Sequence, residues 1–350
     1  MTDSHAVARP LSAVAQCVSS AKRVLAATHM NPDGDAIGSL SALGHIAATL
    51  GIDVRLYCET IVPSHLDWLN YPVPLVTNLA ALGDWRPDCL ILLDCADENR
   101  AGAEMAAFTT ACREGNATCD GITTVCIDHH IANPHFAALN WVDPSMSATG
   151  VMVALLAKEL GQPLAGDLGE ALYFAIVSDT GSFSYANTTA LAMELAAEIV
   201  KNGLSVADFT IKYENNWALG RMHLWGSLMG EVQVLCDGKL VVSVVTDEHL
   251  LRYGCKRTDL EGYASWLRRL AGTKVVLLAR PSRNGSKISL RSMGDVDVQE
   301  IAAELGGGGH KGASGADMAE KPRAAADLAL KAVCKALGCA GCALAEHPLR

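Results

Sequence analysis

"THMNPDGDAIGS", residues 28–39, decides how this chain folds. An apolar run, "RVLAA", leads into it, and a long stretch of small and apolar residues follows. That is the pattern of a buried strand passing through a tight turn into a helix. The turn carries three potential metal ligands, His29, Asp33 and Asp35, within seven residues. Gly34, between the two aspartates, is expected to permit a sharp backbone path. An Asp N-cap on the following helix accounts for one carboxylate and leaves His29 and the other Asp without a task.

The same β-to-α alternation continues outward. "KRVLAATH", "DVRLYC", "PDCLILLDCA" and "TTVCIDHH" read as strands, the last two as the continuous apolar runs that parallel sheets bury on both faces. "AIGSLSALGHIAATLG", "SATGVMVALLAKELG", "GDLGEALYFAIVSD" and "TTALAMELAAEIVKNG" have helical spacing. The order predicts an α/β fold with a doubly wound parallel sheet over residues 1–203. Residues 204–230 read as a helical linker without strand character. Residues 231–340 read as a smaller mixed α/β domain, with "EVQVLC", "KLVVSVV", "TKVVLLARPS" and "SKISLRS" as strands and "EGYASWLRRLAG" and "DVQEIAAELG" as helices. Residues 341–350 read as a tail.

With 350 residues, two domains are the default, and the hydrophobic half of the chain suffices for sizeable cores. No apolar run reaches the ~20 residues of a membrane span, and the start lacks the basic and apolar regions of a secretion signal, so a cytoplasmic protein is expected. Twelve cysteines without framework spacing fit reduced thiols. Cys339 and Cys342 form a C-x-x-C; a zinc site needs about four ligands and only Cys334 and His347 lie nearby in sequence, so ordinary thiols in a loose tail are expected. The net charge of -10 argues against a general grip on long nucleic acid. Residues 251–295 nevertheless carry +7, leaving -17 for the rest. That division suits metal in one place and phosphate in another, and equally a solvated basic face.

Four clusters carry the chemistry. The first is His29, Asp33 and Asp35. The second is Asp94, a carboxylate closing the strongly apolar "LILLDCAD", where desolvation without a partner is costly. The third is Asp128-His129-His130. Adjacent imidazoles point to different sides, so one can hold a metal and the other face a ligand, with Asp128 orienting an imidazole from behind. The fourth is Asp179 in "VSDTGSF", an anion at a helix C-terminus, where the helix dipole disfavours it. Each has a plain structural explanation alone. Together they require compensation, because that many carboxylates in one crevice cannot all stay ionised. Oxygen ligands with a few imidazoles favour Mn2+ or Mg2+ over zinc, and a pair of such ions suits phosphoester hydrolysis. Gly306 to Gly309, ahead of His310 and Lys311, read as a glycine loop whose N–H groups approach an anion, or as a hinge.

The ordered set "HMNPDGDAIGS", "LLDCAD", "IDHH", "SDTGSF" and "GGGGHKGASG" resembles the DHH phosphoesterase superfamily with its DHHA1 domain, and within it the branch of oligoribonucleases that also act on 3'-phosphoadenosine-5'-phosphate (pAp). The resemblance implies two Mn2+, with Mg2+ or Co2+ as substitutes. It implies His29 and Asp33 at the first ion, Asp35, His129 and Asp179 at the second, and Asp94 bridging both. His130 would touch the scissile phosphate, so His130, Asp94 and Asp128 form the catalytic set. Arg291, Ser292, Gly308, Gly309 and His310 would hold substrate between two domains joined by a helical linker. The implied partners are short RNA oligonucleotides and small nucleotides, with no long duplex and no membrane; homodimers are common among such enzymes. The competing activities are hydrolysis of cyclic or linear dinucleotides, pyrophosphate hydrolysis, single-strand exonuclease action of the RecJ kind, and nucleotide binding without catalysis.

Overall fold

The computed structural model describes residues 4–62, 66–339 and 342–345, with backbone only for 4–9, Thr118 and His310. The chain divides into two compact units, 1–216 and 217–350.

In the first unit the strands are β1 Arg23–Thr28, β2 Asp53–Tyr57, β3 Leu75–Val76, β4 Cys89–Leu93, β5 Thr123–Asp128 and β6 Leu139–Val142. The helices are α1 Ser4–Ser20, α2 Gly34–Thr49, α3 Ala103–Arg113, α4 Thr149–Glu159, α5 Gly166–Asp179, α6 Ala190–Lys201 and α7 Val206–Tyr213. The sheet runs β3-β2-β1-β4-β5-β6 and every pairing is parallel. Its two faces bury separate cores. Ile37, Leu40, Val151, Leu172 and Phe174 from α2, α4 and α5 cover one. Met105 of α3, with Ala101 and Phe136, covers the other. A strand buried on both faces needs apolar residues at every position, which is why β1, β4 and β5 read as continuous runs rather than alternations. The expected doubly wound sheet is present; the short strands β3 and β6 and helices α1 and α3 were not anticipated.

Small residues let α2 and α5 approach closely. A Cβ on Gly38 would lie 2.6 Å from the Ala171 carbonyl oxygen and 2.9 Å from the Ala175 nitrogen. Gly34 acts in the same way. Its backbone is not in the left-handed region, so the expected need for a sharp path does not hold. The constraint is space: a Cβ there would meet the Ser178 Oγ at 2.4 Å.

The second unit has helices α8 Leu219–Gly230, α9 Asp247–Arg252, α10 Tyr263–Leu267, α11 Val298–Glu304 and α12 Pro322–Leu337. Its strands are β7 Gln233–Leu235, β8 Leu240–Val244, β9 Val275–Ser282, β10 Gly285–Ser292, β11 Gly308–His310 and β12 Ala313–Met318. The sheet order is β11-β12-β10-β9-β8-β7, parallel only between β8 and β9. α11 and α12 pack on one face and α8 and α10 on the other. The segment 204–230 is divided between the units: Phe209 of α7 enters the first core, while Leu224, Trp225 and Leu228 of α8 enter the second unit's core.

Three expectations for this unit change. Cys339 is not an ordinary thiol, because folding brings it to Cys236, 103 residues earlier, in a disulfide. "GGGGHKGASG" is not a loop, because Gly308–His310 is an edge strand paired with β12. Nor are the last described residues loose. Leu344 is buried, Gln233 exchanges two hydrogen bonds with the Ala345 backbone (3.1 and 2.8 Å), and the Arg323 guanidinium donates to the carbonyls of Leu344 and Ala345. Residues 340–341 and 346–350, with His347 among them, lie outside the described residues. No described helix is long and apolar enough to cross a membrane.

Replacing a helical Gly by Ala ordinarily stabilises by about 1 kcal/mol. At position 38 the overpacking against α5 reverses this, and Gly38→Ala is expected to lower stability by about 1–3 kcal/mol, read as a lower urea midpoint. A raised midpoint would contradict the close α2–α5 contact.

Candidate metal centre

Strand register builds the site. Thr28 of β1 is opposite Leu93 of β4, and Leu93 is opposite Ile127 of β5. The next residue of each strand or the turn after it is therefore His29, Asp94 and Asp128, side by side where the sheet changes winding direction, the place open α/β sheets bind ligands. Asp94 leaves its strand with φ +58, an uncommon conformation for a non-glycine residue, and its N–H is held by the Ile127 carbonyl at 3.0 Å.

The Asp94 carboxylate faces two imidazoles at once. Its Oδ2 lies 3.6 Å from the His29 Nε2 and its Oδ1 3.5 Å from the His129 Nε2. Asp33 Oδ1 is 4.0 Å from the His29 Nε2. Oδ2 of Asp35 and Oδ2 of Asp179 are each 3.8 Å from the His129 Nε2. Atoms 3.5–4.0 Å apart are too distant for strong mutual hydrogen bonds, yet they fit around a common ion at about 2.1 Å. Three such groups form, His29–Asp33–Asp94, Asp35–His129–Asp179 and Asp94–His129–His130, with Asp94 against His129 linking them. The four aspartates and two histidines expected as metal ligands are thus brought together.

The surroundings set which atoms face inward. Nδ1 of His29 lies 2.9 Å from the Met30 carbonyl and Nδ1 of His129 lies 3.2 Å from the Met146 carbonyl. A carbonyl can only accept, so each Nδ1 carries a proton, which leaves Nε2 as the atom turned to the carboxylates and the one available to a metal. The N-terminus of α4 clamps Asp35: Thr149 and Gly150 donate their N–H groups to its two oxygens at 2.7 and 2.8 Å, and the Thr149 hydroxyl donates to Asp94 at 3.0 Å. Asp33 also serves as the N-cap of α2, accepting from the Ala36 N–H at 3.1 Å, so the capping and ligand readings hold together. Asp179 accepts from the Asn187 amide at 3.1 Å.

His130 also approaches the cluster, its Nδ1 lying 3.7 Å from the Asp94 Oδ1. Its Nδ1 bonds to the Asp128 Oδ1 at 2.7 Å, and the other Asp128 oxygen accepts from the Asn133 amide at 2.7 Å. Asp128 is fully buried and faces no other predicted ligand more closely than this ring, so its place is behind His130.

The charges oppose one another. Burial pushes Asp94 up, but His29, His129 and His130 outweigh it and hold this carboxyl well below the usual range. Burial, together with Asp94, Asp179 and Asp33, drives Asp35 well above it. Asp179 is raised to about 7 by burial, against the pull of His129. Burial alone would lower His29 and His130; Asp94 and Asp128, respectively, raise them instead. One carboxylate is satisfied by imidazoles and two are forced towards protonation, which is the imbalance that divalent cations relieve. The residues present therefore fit divalent metal.

Sequence reading missed Thr149, Asn133, Asn187 and Arg100. Arg100 is close enough for its charge to oppose protonation of His29 and His130. A Thr opening an apolar helix and an Asn before Pro are weak signals alone.

The residues expected to hold substrate lie in the second unit. Arg291, on β10, donates from Nε to the Ser265 hydroxyl at 3.3 Å. The hydroxyl of Ser292 is buried and donates to the Lys311 carbonyl at 3.1 Å, so it holds the fold. Gly308 and Gly309 lie on the edge strand, with His310 described by its backbone only. Gly309 must be glycine, since its φ is +141 and a Cβ would lie 2.6 Å from the Ala313 carbonyl oxygen. Gly306, Gly307, Gly308 and Lys287 line a shallow groove of about 350 Å3.

Comparison with known proteins agrees with this architecture. Residues 23–176 match the DHH family, N-terminal domain, and residues 237–338 match the DHHA1 domain. The chain is 31% identical over 293 residues to the bifunctional oligoribonuclease and PAP phosphatase NrnA of Thermus thermophilus, covering 83% of each chain. It is 26% identical over 319 residues to the protein of the same name from Bacillus subtilis, covering 88% of this chain and 93% of the other. Among solved structures, an exopolyphosphatase-related protein from Bacteroides fragilis superposes with a TM-score of 0.82 at 23% identity, over 95% of this chain and 96% of that one.

Asn133 is the test of the support behind His130. Besides Asp128, its amide serves the Cys95 carbonyl and its oxygen accepts from the His135 N–H. Asn133→Ala strands these buried groups and is expected to cost about 2–4 kcal/mol in urea unfolding. A loss below about 1 kcal/mol would show that the network is not holding Asp128.

Proposed function

This chain belongs to the DHH family with a DHHA1 domain, in the branch of the bifunctional oligoribonucleases and PAP phosphatases, and is a phosphoric ester hydrolase; from that premise we propose that it cleaves short oligoribonucleotides to mononucleotides and pAp to AMP, using two Mn2+. The observation that carries the proposal is the Asp94 carboxylate, whose two oxygens address His29 and His129 separately. A carboxylate so placed can be shared by two ions, one held further by His29 and Asp33, the other by Asp35, His129 and Asp179. Ions bound there supply an activated water and offset the charge gathering on the phosphoryl group.

The chain's own groups do the rest. Asp128, braced by Asn133, holds the His130 ring through Nδ1 and favours its protonated form. His130 can then give a hydrogen bond from Nε2 to a phosphoryl oxygen as charge develops. Arg100 adds a cation beside the same histidines, suited to a polyanionic substrate. In the second unit, Arg291 offers a planar guanidinium for a base or a phosphate, and the glycine-rich Gly308–His310 strand lies at the sheet edge. Ser292 contributes by fixing the turn towards Lys311. Soluble cytoplasmic operation as a homodimer completes the reading.

Purified protein stripped with a chelator is expected to be inactive and to regain activity with Mn2+. On a panel of an RNA dinucleotide, a longer RNA, pAp, a cyclic dinucleotide and pyrophosphate, the dinucleotide and pAp should turn over fastest. Turnover of pyrophosphate alone would overturn the substrate assignment. Asp94→Ala should cost at least about a thousandfold in kcat, roughly 4 kcal/mol of transition-state stabilisation. Arg291→Ala should mainly raise KM. Retained turnover by the Asp94 variant at saturating Mn2+ would contradict the shared carboxylate.

A further inference from the structure

Four thiols meet in the second unit, far from the catalytic residues in sequence and not engaged by the chemistry above. Cys236 ends the β7 side of the tight turn into β8, Cys334 lies in the last turn of α12, and Cys339 and Cys342 follow that helix. Their sulfurs all lie within 4.8 Å of one another. In the structure Cys236 and Cys339 are joined as a disulfide, while the sulfurs of Cys342 and Cys334 lie 3.4 and 3.8 Å from that of Cys236. This fourth partner, 98 residues before Cys334, is what the local spacing could not supply.

We propose that Cys236, Cys334, Cys339 and Cys342 form a structural zinc site in the reduced protein. A disulfide accounts for two of the four thiols and leaves two more in contact with it. A tetrahedral ion with Zn–S bonds of about 2.3 Å places its ligands about 3.8 Å apart, close to the separations seen from Cys236 to Cys334 and Cys342. The backbone bends where such a site requires. Cys236, Asp237 and Gly238 all have positive φ, and Gly338 closes α12 in the left-handed conformation. The chain does not pair its thiols generally: Cys17 and Cys89 touch at 3.7 Å as free thiols. Four soft sulfur ligands select zinc over the hard cations suited to the carboxylate site, and full protein coordination leaves no position for substrate.

The conversion balances. Two low-molecular-weight thiols reduce the Cys236–Cys339 bond to two cysteine thiols and are themselves oxidised to one disulfide. Zinc binding then displaces the four thiol protons. The ion would staple the C-terminal segment, already held by Leu344 and Gln233, to the β7–β8 turn.

The test uses the full chain purified under reducing conditions. About one zinc ion per chain should survive the chelation that strips the carboxylate site. Replacement by Co2+ should give a sulfur-to-cobalt charge-transfer band and the visible spectrum of a tetrahedral ion, which a carboxylate–imidazole site cannot produce. Both should vanish in Cys342→Ser and persist in Cys112→Ser. Absence of the sulfur band in the wild type would overturn the proposal. So would trapping by alkylation at lysis that finds the Cys236–Cys339 disulfide intact, or all four thiols free and metal-less. If Cys342→Ser does not fold, the wild-type spectrum and alkylation map still decide.

Discussion

Five carboxylates and three imidazoles gathered around the ends of three parallel strands set the terms for the first unit. Anions so close, and all but Asp33 largely withdrawn from water, cannot all remain charged on their own. Asp94 keeps its charge because imidazoles surround it, and Asp35 and Asp179 are driven towards their neutral forms. A chain that merely needed stability would place apolar groups here, since buried ionic clusters rarely stabilise a fold. The arrangement makes physical sense as a receptacle for divalent cations.

The architecture around the cluster serves that end. Register in the parallel sheet aligns His29, Asp94 and Asp128, and the α4 N-terminus reaches across to hold Asp35. Close helix packing makes this possible. Gly150, the second residue of α4, would place a Cβ 2.4 Å from that of Ala175 and 3.3 Å from the Asp35 oxygen. A larger residue there would move α4 away from the carboxylate it clamps. The small residues of α2, α4 and α5 are thus tied to the chemistry through helix position.

Much of this was legible in the sequence, for identifiable reasons. Strands buried on both faces announce themselves as apolar runs, so β1, β4 and β5 could be placed, and a polar residue ending such a run is conspicuous. His29, Asp94 and Asp128 were visible for that reason, and Asp179 because an anion sits badly at a helix C-terminus. What escaped was set by distant contacts. Asn133 and Thr149 are ordinary polar residues until folding brings them to Asp128 and Asp94. Gly34 was given the wrong reason, because the Ser178 side chain it accommodates is 144 residues away. The glycine run looked like a loop, yet pairing with β12 makes it a strand, and the close approach of that strand explains Gly307 and Gly309. The cysteine tail looked loose because Cys236 lies about a hundred residues earlier in the chain.

The central claim is that Asp94 is shared between two metal ions. Diffraction from crystals soaked in Mn2+, with anomalous data collected at the manganese edge, addresses it directly. The account predicts two anomalous peaks flanking the Asp94 carboxylate, one beside His29 and Asp33 and the other beside Asp35, His129 and Asp179. A single peak, or two peaks that leave Asp94 unligated, would contradict it.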